Sequence, residues 1–538
     1  MRHFIHKMFS LACAVLATAM AASVIQTQLN LGSLARLGAP IDLATRATGT
    51  LEDLARFGPV MAGITLAAFL PALLTAERAG RAMGRAHRIV LAMLAGVAGL
   101  CVAFWVIGMF SPMPALVAAT GTPAGLASVC LTGALGGALY ARMSRTRAAG
   151  HRVFAHGDLR ALLPLLSLVL IPLVLFISMA PRTPAPVAQI DPSQYVVETI
   201  AAGLDRPWSV AFLPDGRRLV TERWGRLLAI APGGTVSSIA LDKLPPVLDE
   251  GGAQLMSLVV DPAFEDNSFL YLTMGYGKPG ANGTRLVRAR LAGDRIDEVK
   301  ILFSSTLKPH RSNNGGALAF LPDGTLVMAV GDGELRAQAQ NQANHIGKLV
   351  RIDREGRVPG DNPFAGRLDA AAELYSIGHR NPQGMAFDQG LSSLIVTEHG
   401  ARGGDEINVI KAGANYGWPM VTDGIDYSFA RITPFLELDG KIKPIFHWSP
   451  SIAPGGLAIY EGALFPAWQG DLLVPALKGR SIRRIVRRQG RIVGEQELLA
   501  ELNDRIRDVK VAPDGSIHVL TDGPEARLLR LIPAPPKA

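Results

Sequence analysis

The chain after residue 195 repeats one short pattern six times, and this repeat restricts the fold more than any other feature of the sequence. Each copy is a turn built from Pro, Asp and Gly followed by a short β-rich run, as in LPDGRRLVTERWG and APDGSIHVLTDG. The turn residues are Asp215, Asp261, Asp323, Asp388, Gly470 and Asp514. Their separation leaves room for four short strands per copy, which predicts an all-β, six-bladed β-propeller. A β-sandwich with unrelated hairpins is the alternative, because an Asp-Gly turn alone is a general hairpin signal.

The chain before residue 182 is far more apolar than the rest and holds most of the surplus in a sequence that is 49% hydrophobic. Its apolar segments are each roughly 18 to 24 residues long, which is enough for a helix to cross a bilayer. The segments lie near 8–28, 59–76, 89–110, 117–140 and 161–180. We therefore expect an α-helical membrane region of about five transmembrane helices at 1–180, a proline-rich linker at 181–194 and the propeller at 195–538.

Arginines cluster in two short loops between these segments, and such loops lie on the cytoplasmic side of a membrane. The clusters are Arg78, Arg81, Arg85 and Arg88, and Arg142, Arg145, Arg147, Arg152 and Arg160. Five crossings of an inner (cytoplasmic) membrane then place everything after Pro181 on the periplasmic side. The first segment could instead be a cleaved signal peptide, because Arg2 and Lys7 precede an apolar run that ends in ATAMAAS, and the final topology is the same.

Charge and cysteine content exclude two classes of function. The net charge is +9, but much of the excess comes from the arginines that set the membrane topology rather than from a basic patch interleaved with aromatic residues. Nucleic acid is therefore not expected as a partner. Cys13, Cys101 and Cys130 all lie in the apolar segments, so the exported part has neither disulfides nor a thiolate metal site.

Several cations of the propeller region could meet at one mouth of the central channel, where propellers carry functional loops. Arg380 and Asn381 lie on a predicted loop tip, and Lys478 ends an apolar strand. Arg505 and Arg507 are two residues apart, so on a strand they point to the same face. Each could be a solvated side chain, but together these cations would bind a small polyanion in a fixed pose.

Six motifs make this part of the chain resemble the soluble aldose sugar dehydrogenases, also called the glucose/sorbosone dehydrogenase family. The motifs are GHRNPQG (378–384), EHGARGGDEIN (398–408), GANYGWP (413–419), WSPSIAP (448–454), LLVPALKG (472–479) and R-x-R-D-V (505–509). The resemblance covers nearly all of residues 195–533. It implies a six-bladed propeller that binds pyrroloquinoline quinone (PQQ), a planar tricarboxylate, together with calcium.

The resemblance also implies roles for individual residues. The cofactor-binding positions of the family correspond to Gln340, Arg380, Asn381, Trp448, Lys478, Arg505 and Arg507. Guanidinium groups suit carboxylates and an aromatic face suits a conjugated ring, although without the resemblance Trp448 would be read as a packing residue. The implied calcium ligands are the main-chain carbonyls of Gly400 and Ala401, and at a second site Glu406, the carbonyl of Tyr416 and Asp426. An ordinary turn or solvated role is the alternative for Glu406.

One position departs from the family in a way that affects catalysis. The family's mechanism uses a histidine, just before the Gly-Gly pair, to remove the proton of the sugar hydroxyl, and Asn313 stands at that position. An amide cannot accept this proton near neutral pH, so a contribution of about 10²- to 10⁴-fold would be lost. His310, three residues earlier, is the nearby histidine that could substitute, although a loop histidine is more often exposed.

The sequence therefore predicts a membrane-anchored, PQQ-dependent sugar dehydrogenase that transfers hydride from a sugar or related alcohol to the quinone, with Arg380 steadying the developing charge. Its electrons would pass to a membrane quinone or to a soluble carrier. A propeller that binds PQQ or a sugar and acts as a non-catalytic sensor is the alternative, because of Asn313. A protein-interaction platform is a third hypothesis.

Overall fold

The computed structural model describes most of the chain, and its contacts divide the chain into two compact units. The described residues are 2–110, 117–144, 187–248, 255–309 and 312–535. The first unit comprises Met1–Arg182 with Ile425–Pro434, and the second comprises Thr183–Gly424 with Phe435–Ala538. The domain boundary predicted at 180 falls in residues that are not described, and the boundary predicted at 194 lies directly before the strand Tyr195–Leu204; both stay predictions.

The first unit is helical. Among the described residues its helices are α1 (Arg2–Arg36), α2 (Leu43–Arg56), α3 (Gly58–Ala79), α4 (Arg85–Phe110) and α5 (Pro123–Met143). All but α2 are long and apolar enough to cross a membrane. The backbones of α4 and α5 approach closely, since a Cβ atom on Gly96 would lie 2.1 Å from the carbonyl oxygen of Gly133.

The helices match the predicted spans in most places. The segments 8–28, 59–76 and 89–110 lie inside α1, α3 and α4, whereas the segment 117–140 begins before α5, whose N-cap is Thr122. The span predicted at 161–180 lies outside the described residues. Helix α2 was not predicted; Asp42 caps it by accepting from the Thr45 N–H at 2.7 Å.

The second unit is a six-bladed β-propeller, which confirms the predicted fold. Two strands, β1 (Ala188–Gln189) and β2 (Tyr195–Leu204), precede the first blade. The first three blades are β3 to β6 (Pro207–Phe212, Arg218–Glu222, Arg226–Ile230, Val236–Ile239), β7 to β10 (Leu255–Val260, Phe269–Lys278, Ala281–Ala292, Arg295–Ser304) and β11 to β14 (Gly315–Phe320, Leu326–Val330, Lys348–Ile352, Leu374–Ile377). A short helix, α6 (Phe264–Asn267), joins β7 to β8.

The last three blades complete the ring. They are β15 to β18 (Pro382–Asp388, Ser393–Glu398, Asp405–Ile410, Phe446–Trp448), β19 to β22 (Ala458–Ile459, Leu472–Ala476, Ser481–Arg488, Arg491–Leu498) and β23 to β25 (Ile506–Val511, Ile517–Thr521, Ala526–Pro533). Strand β2 supplies the fourth strand of the sixth blade by pairing with β25, from Tyr195 opposite Pro533 to Leu204 opposite Ala526. The start of the propeller is thus tied to its end, and β1 adds a parallel edge to the fifth blade.

All six predicted turns lie between the first and second strands of a blade. Aspartate suits this position because its side chain can accept from a backbone N–H two residues further on. Arg217 N donates to Asp215 Oδ1 at 3.0 Å, and Ser516 N donates to Asp514 Oδ1 at 2.9 Å. These turns share one end of the propeller. We therefore expect the functional loops at the other end.

Candidate active site

The first strands of the blades line a narrow central channel, bordered by residues of β3, β7, β11, β15 and β23. Strands pair antiparallel within a blade, so residues before a first strand and residues after a second strand lie at the same mouth, opposite the aspartate turns. Asn313 precedes β11, Arg380 and Asn381 precede β15, Lys478 follows β20 and Arg505 precedes β23. The structure therefore brings these predicted residues to one mouth.

Arg380 is buried and held by the loop that follows β16. Its backbone N–H donates to Glu398 Oε2 at 2.8 Å, and its Nη1 donates to the carbonyl oxygens of His399, at 3.2 Å, and Gly400. The guanidinium carbon lies 5.5 Å from the ring centroid of Trp418. Its Nε has no hydrogen-bond partner among the described residues, so this cation can still bind an anion.

Arg505 and Arg507 meet at one carboxylate. Arg505 Nε donates to Asp522 Oδ2 at 3.0 Å, and Arg507 Nη2 lies 3.6 Å from the same oxygen. Arg505 is exposed, whereas Arg507 is buried over the ring of Trp208, 4.4 Å from its centroid. The pKa of Arg507 is lowered to about 10, mainly by burial and also by the neighbouring Arg223 and Arg505, although Asp522 and Asp508 raise it. The Nε of Arg507 also lacks a partner among the described residues.

His399 lies close to both buried arginines. Burial lowers its pKa to about 4, and the charges of Arg380 and Arg507 act in the same direction, against Asp405. Its Nε2 lies 2.7 Å from the carbonyl oxygen of Pro454. The imidazole is therefore neutral at physiological pH and adds no positive charge beside the two arginines.

Asn313, which is predicted from the sequence to stand at the position of the family's histidine, uses its amide as a donor. Its Nδ2 donates to Asp332 Oδ1 at 2.8 Å and to Glu334 Oε1 at 3.1 Å. Its backbone has a positive φ of 49°, and two residues later Gly315 N donates to Asn381 Oδ1 at 3.1 Å. Two carboxylates therefore orient the amide of Asn313.

A buried lysine donates hydrogen bonds to the backbone of the loop that carries Asn313. Lys308 Nζ donates to the carbonyl oxygens of Ser312, at 2.8 Å, and Asn313, at 3.1 Å. Burial lowers the pKa of Lys308 to about 7, although the two carboxylates beside Asn313 raise it. His310, the alternative base predicted from the sequence, lies outside the described residues.

The other predicted cofactor residues have different settings. Gln340 exchanges two amide hydrogen bonds with Asn415, at 3.1 and 2.7 Å. Lys478 is exposed at the mouth. The indole of Trp448 is buried in a core between the fourth and fifth blades and donates from Nε1 to Glu495 at 2.9 Å. These contacts agree with a packing role, which is the role that residue type alone predicts for Trp448.

Three of the predicted metal residues, Gly400, Glu406 and Tyr416, line a second, small pocket beside the loop that follows β16. Asp405 Oδ1 accepts from the Gly400 N–H at 2.9 Å, so Asp405 shapes this loop. Burial raises the pKa of Glu406 well above its usual range, and the neighbouring Glu398 raises it further. Ala401 is buried in the same loop. A cation would relieve the repulsion between these carboxylates.

Within the described residues, no three His, Cys, Asp or Glu side chains converge as metal ligands. A cation in this cavity would therefore rely on carbonyl oxygens as well, and Tyr416 and Gly400 both border the cavity. Asp426, the remaining predicted ligand, belongs to the first unit, where its Oδ1 accepts from the Ser428 N–H at 3.3 Å.

Several residues at the mouth were not predicted from the sequence. Asp332 Oδ2 accepts from Trp418 Nε1 at 2.8 Å, which joins the loop after β12 to the GANYGWP loop. Glu334, Lys308 and Trp208 complete the surroundings of Asn313 and of Arg507. The one available signal was the polar run GDGE directly after an apolar strand, a place where propellers keep functional loops.

Comparisons with known proteins agree with this geometry. The profile of the Glucose / Sorbosone dehydrogenase family matches residues 204–530. An aldose sugar dehydrogenase of Escherichia coli (strain K12) is 37% identical over 352 residues, which are 64% of this chain and 94% of the relative. The apo-form structure of the soluble aldose sugar dehydrogenase from Escherichia coli is similar with a TM-score of 0.61 and 36% identity, over 63% of this chain and 99% of that one. A PQQ-bound aldose sugar dehydrogenase from Streptomyces coelicolor is similar with a TM-score of 0.53 and 27% identity, over 64% and 99%.

Proposed function

Because the chain belongs to the glucose/sorbosone dehydrogenase family, we propose that it oxidises an aldose or a related alcohol with PQQ. One observation carries the proposal: the buried guanidinium groups of Arg380 and Arg507 each keep an Nε–H without a partner among the described residues. A buried donor without an acceptor is costly. A small ligand with several carboxylates or carbonyl oxygens would satisfy both donors.

The residues at the mouth fit the cofactor by chemistry. Lys478, Arg505 and Arg507 would bind its carboxylates, and Arg380 and Asn381 would bind the quinone side. When bound, the quinone supplies a two-electron acceptor for hydride. The Arg380 guanidinium would stabilise negative charge that develops on the sugar oxygen, and the packed blades would keep its position fixed.

The full-length protein in detergent, freed of divalent ions and then given PQQ and calcium, tests the proposal. We expect saturable quenching of tryptophan fluorescence with a Kd of about 1 μM or less. Adding D-glucose or another aldose should then reduce the cofactor, as followed by its absorbance. No binding of PQQ would contradict the proposal.

Calcium is expected to stabilise the protein at the second predicted site, where Glu406 and the carbonyl of Tyr416 are the proposed ligands; the carbonyls of Gly400 and Ala401 belong to the other predicted site. At a concentration of about 100 times Kd, the gain is about 2.7 kcal/mol. Glu406→Gln should remove much of the rise in Tm that calcium gives. It should not lower Tm in chelator, because the variant also removes a buried carboxylate.

The exposed Glu461→Gln variant is the matched control and should keep the calcium response. An unchanged response in Glu406→Gln, measured by differential scanning calorimetry, would exclude Glu406 as a ligand.

The proposed location is the inner membrane, with the propeller on the periplasmic side. Four described helices are long and apolar enough to cross the bilayer, and the arginine-rich loops set the orientation. The membrane anchor favours a membrane quinone over a soluble carrier as electron acceptor. A cysteine introduced at the exposed Glu461 should react with a membrane-impermeant maleimide in spheroplasts.

A sensor function is the second candidate, and Asn313 is the observation that favours it. A sensor would bind PQQ tightly but would not transfer hydride from any aldose, even at a pH high enough to replace a missing base. The titration above separates the two functions.

A further inference from the structure

The loss of the family's histidine leaves the proton of the sugar hydroxyl without an obvious acceptor. The side chain of Asn313 cannot take it, because an amide is not a base near neutral pH. Two carboxylates nevertheless contact the Asn313 amide, those of Asp332 and Glu334. Each could in principle accept a proton, and their contacts distinguish them.

Asp332 is fully buried and its oxygens are already engaged. Oδ1 accepts from Asn313 Nδ2 at 2.8 Å and from the Glu334 N–H at 2.9 Å, and Oδ2 accepts from Trp418 Nε1 at 2.8 Å. Because it is fully buried and three donors already contact its oxygens, this carboxylate is not accessible to a sugar hydroxyl. Asp332 therefore orients its neighbours.

Glu334 is placed differently. Its Oε1 accepts from Asn313 Nδ2 at 3.1 Å and lies 3.6 Å from Nη2 of Arg380. The carboxylate thus lies between the position of the family's histidine and the arginine proposed to bind the quinone side. Its backbone has a φ of 64°, in the left-handed region that residues other than glycine rarely adopt.

We propose that Glu334 is the catalytic base of sugar oxidation, an inference that rests on the proposed function. In this step the O–H bond of the sugar hydroxyl breaks and its proton goes to a carboxylate oxygen of Glu334. The C–H bond of the carbon that bears this hydroxyl breaks as well. Its hydrogen leaves with the electron pair as hydride for the quinone, and a C=O bond forms. The sugar is oxidised by two electrons and the quinone is reduced by two.

The surroundings of Glu334 suit this task. Arg380 and Lys308 are the nearby cations, and Asp332 is the nearby anion. Asn313 acts as a positioning residue, since its Nδ2 bridges the two carboxylates and leaves the amide oxygen to accept from a sugar hydroxyl. Lys308 keeps the Asn313 backbone in place through its carbonyl oxygen.

The test compares Glu334→Gln with the unsubstituted full-length protein in detergent, loaded with PQQ and calcium. We expect the rate of cofactor reduction by D-glucose to fall by about 10²-fold or more, because glutamine cannot accept the proton. The Kd for PQQ should change by less than about threefold, since the side chain keeps its size and its contact with Asn313. Glu461→Gln, an exposed substitution, should leave both quantities unchanged.

A binding measurement gives a readout apart from turnover. With the cofactor already reduced, D-glucose and 1,5-anhydroglucitol, which lacks the anomeric hydroxyl, bind without reacting. The unsubstituted protein should prefer D-glucose by roughly threefold to tenfold, the worth of one hydrogen bond. Glu334→Leu removes the acceptor and should lose this preference.

A histidine at the family's position should compensate for the missing carboxylate. Introducing Asn313→His into Glu334→Gln is expected to restore at least tenfold of the lost rate, on the order of the lower range of general-base catalysis. An undiminished rate in Glu334→Gln, with normal PQQ binding, overturns this inference alone. Failure of the unsubstituted protein to bind PQQ overturns the proposed function and this inference with it. Binding without reduction in the unsubstituted protein overturns the inference in favour of a sensor.

Discussion

Replacing Arg507 by glutamine is expected to weaken PQQ binding by about 100-fold, because truncating one partner of a buried charge pair costs about 2 to 5 kcal/mol. Arg507 is the buried cation at the mouth whose pKa burial lowers to about 10. Without the ligand its buried charge is unfavourable, because burial lowers its pKa more than the carboxylates of Asp522, at 3.6 Å, and Asp508 raise it. We therefore expect the Tm of the ligand-free protein to stay the same or to rise. Fluorescence titration and calorimetry measure the two quantities.

Arg351 provides a matched control on another blade. It is as buried as Arg507, but its guanidinium donates to Asp323, Asp361 and Asn362. Arg351→Gln should lower Tm and leave PQQ affinity unchanged, which is the reverse of the result for Arg507→Gln. If both variants lose affinity equally, Arg507 has no special contact with the cofactor.

The sequence predicts the propeller well because its repeat is local. Each turn is a contact between residues close in the chain, as at Asp215 and Asp514, and the six turns, five with an aspartate and one at Gly470, fix the number of blades. Strand β2 closes the ring by pairing residues far apart in the chain, Tyr195 with Pro533, and no sequence motif predicts this pairing. Helix α2 was missed because the search relied on apolar length, whereas α2 is amphipathic and short.

The residues at the mouth were predicted only in part, because the sequence shows local motifs but not the contacts between separate loops. Arg380 and Arg507 stand in recognisable motifs, and strand topology alone brings their loops together. The partners of Asn313 are contacts between separate loops, so nothing in the spacing of Asp332 and Glu334 reveals that both carboxylates orient one amide. A motif also cannot tell on which side of a strand an indole packs. The indole of Trp448 packs in the core between the fourth and fifth blades.

The largest loss of stability is expected for Asp405→Asn, a substitution that preserves side-chain size. Asp405 is fully buried, and its Oδ1 accepts from the Gly400 N–H at 2.9 Å. Its Oδ2 accepts from Ser451 Oγ at 2.7 Å and from the N–H groups of Ile452 and Ala453 at 2.8 Å. All four partners donate to it, whereas asparagine offers one acceptor and turns an NH₂ group toward the others. We expect a loss of about 3 to 5 kcal/mol, measured by chemical denaturation of the full-length protein.

The comparison with Asp405→Ala decides whether charge or packing is responsible. If hydrogen bonds to the carboxylate hold the two loops, asparagine should cost about as much as alanine, because it leaves buried donors unpaired. If the side chain only fills space, asparagine should be nearly neutral and alanine alone should destabilise. The exposed Asp242→Asn variant controls for the loss of a charge.

Because these loops carry Gly400 and the segment that contacts His399 through Pro454, Asp405→Asn should also weaken PQQ binding. Asp405 would then connect the stability of the fourth blade to the shape of the mouth.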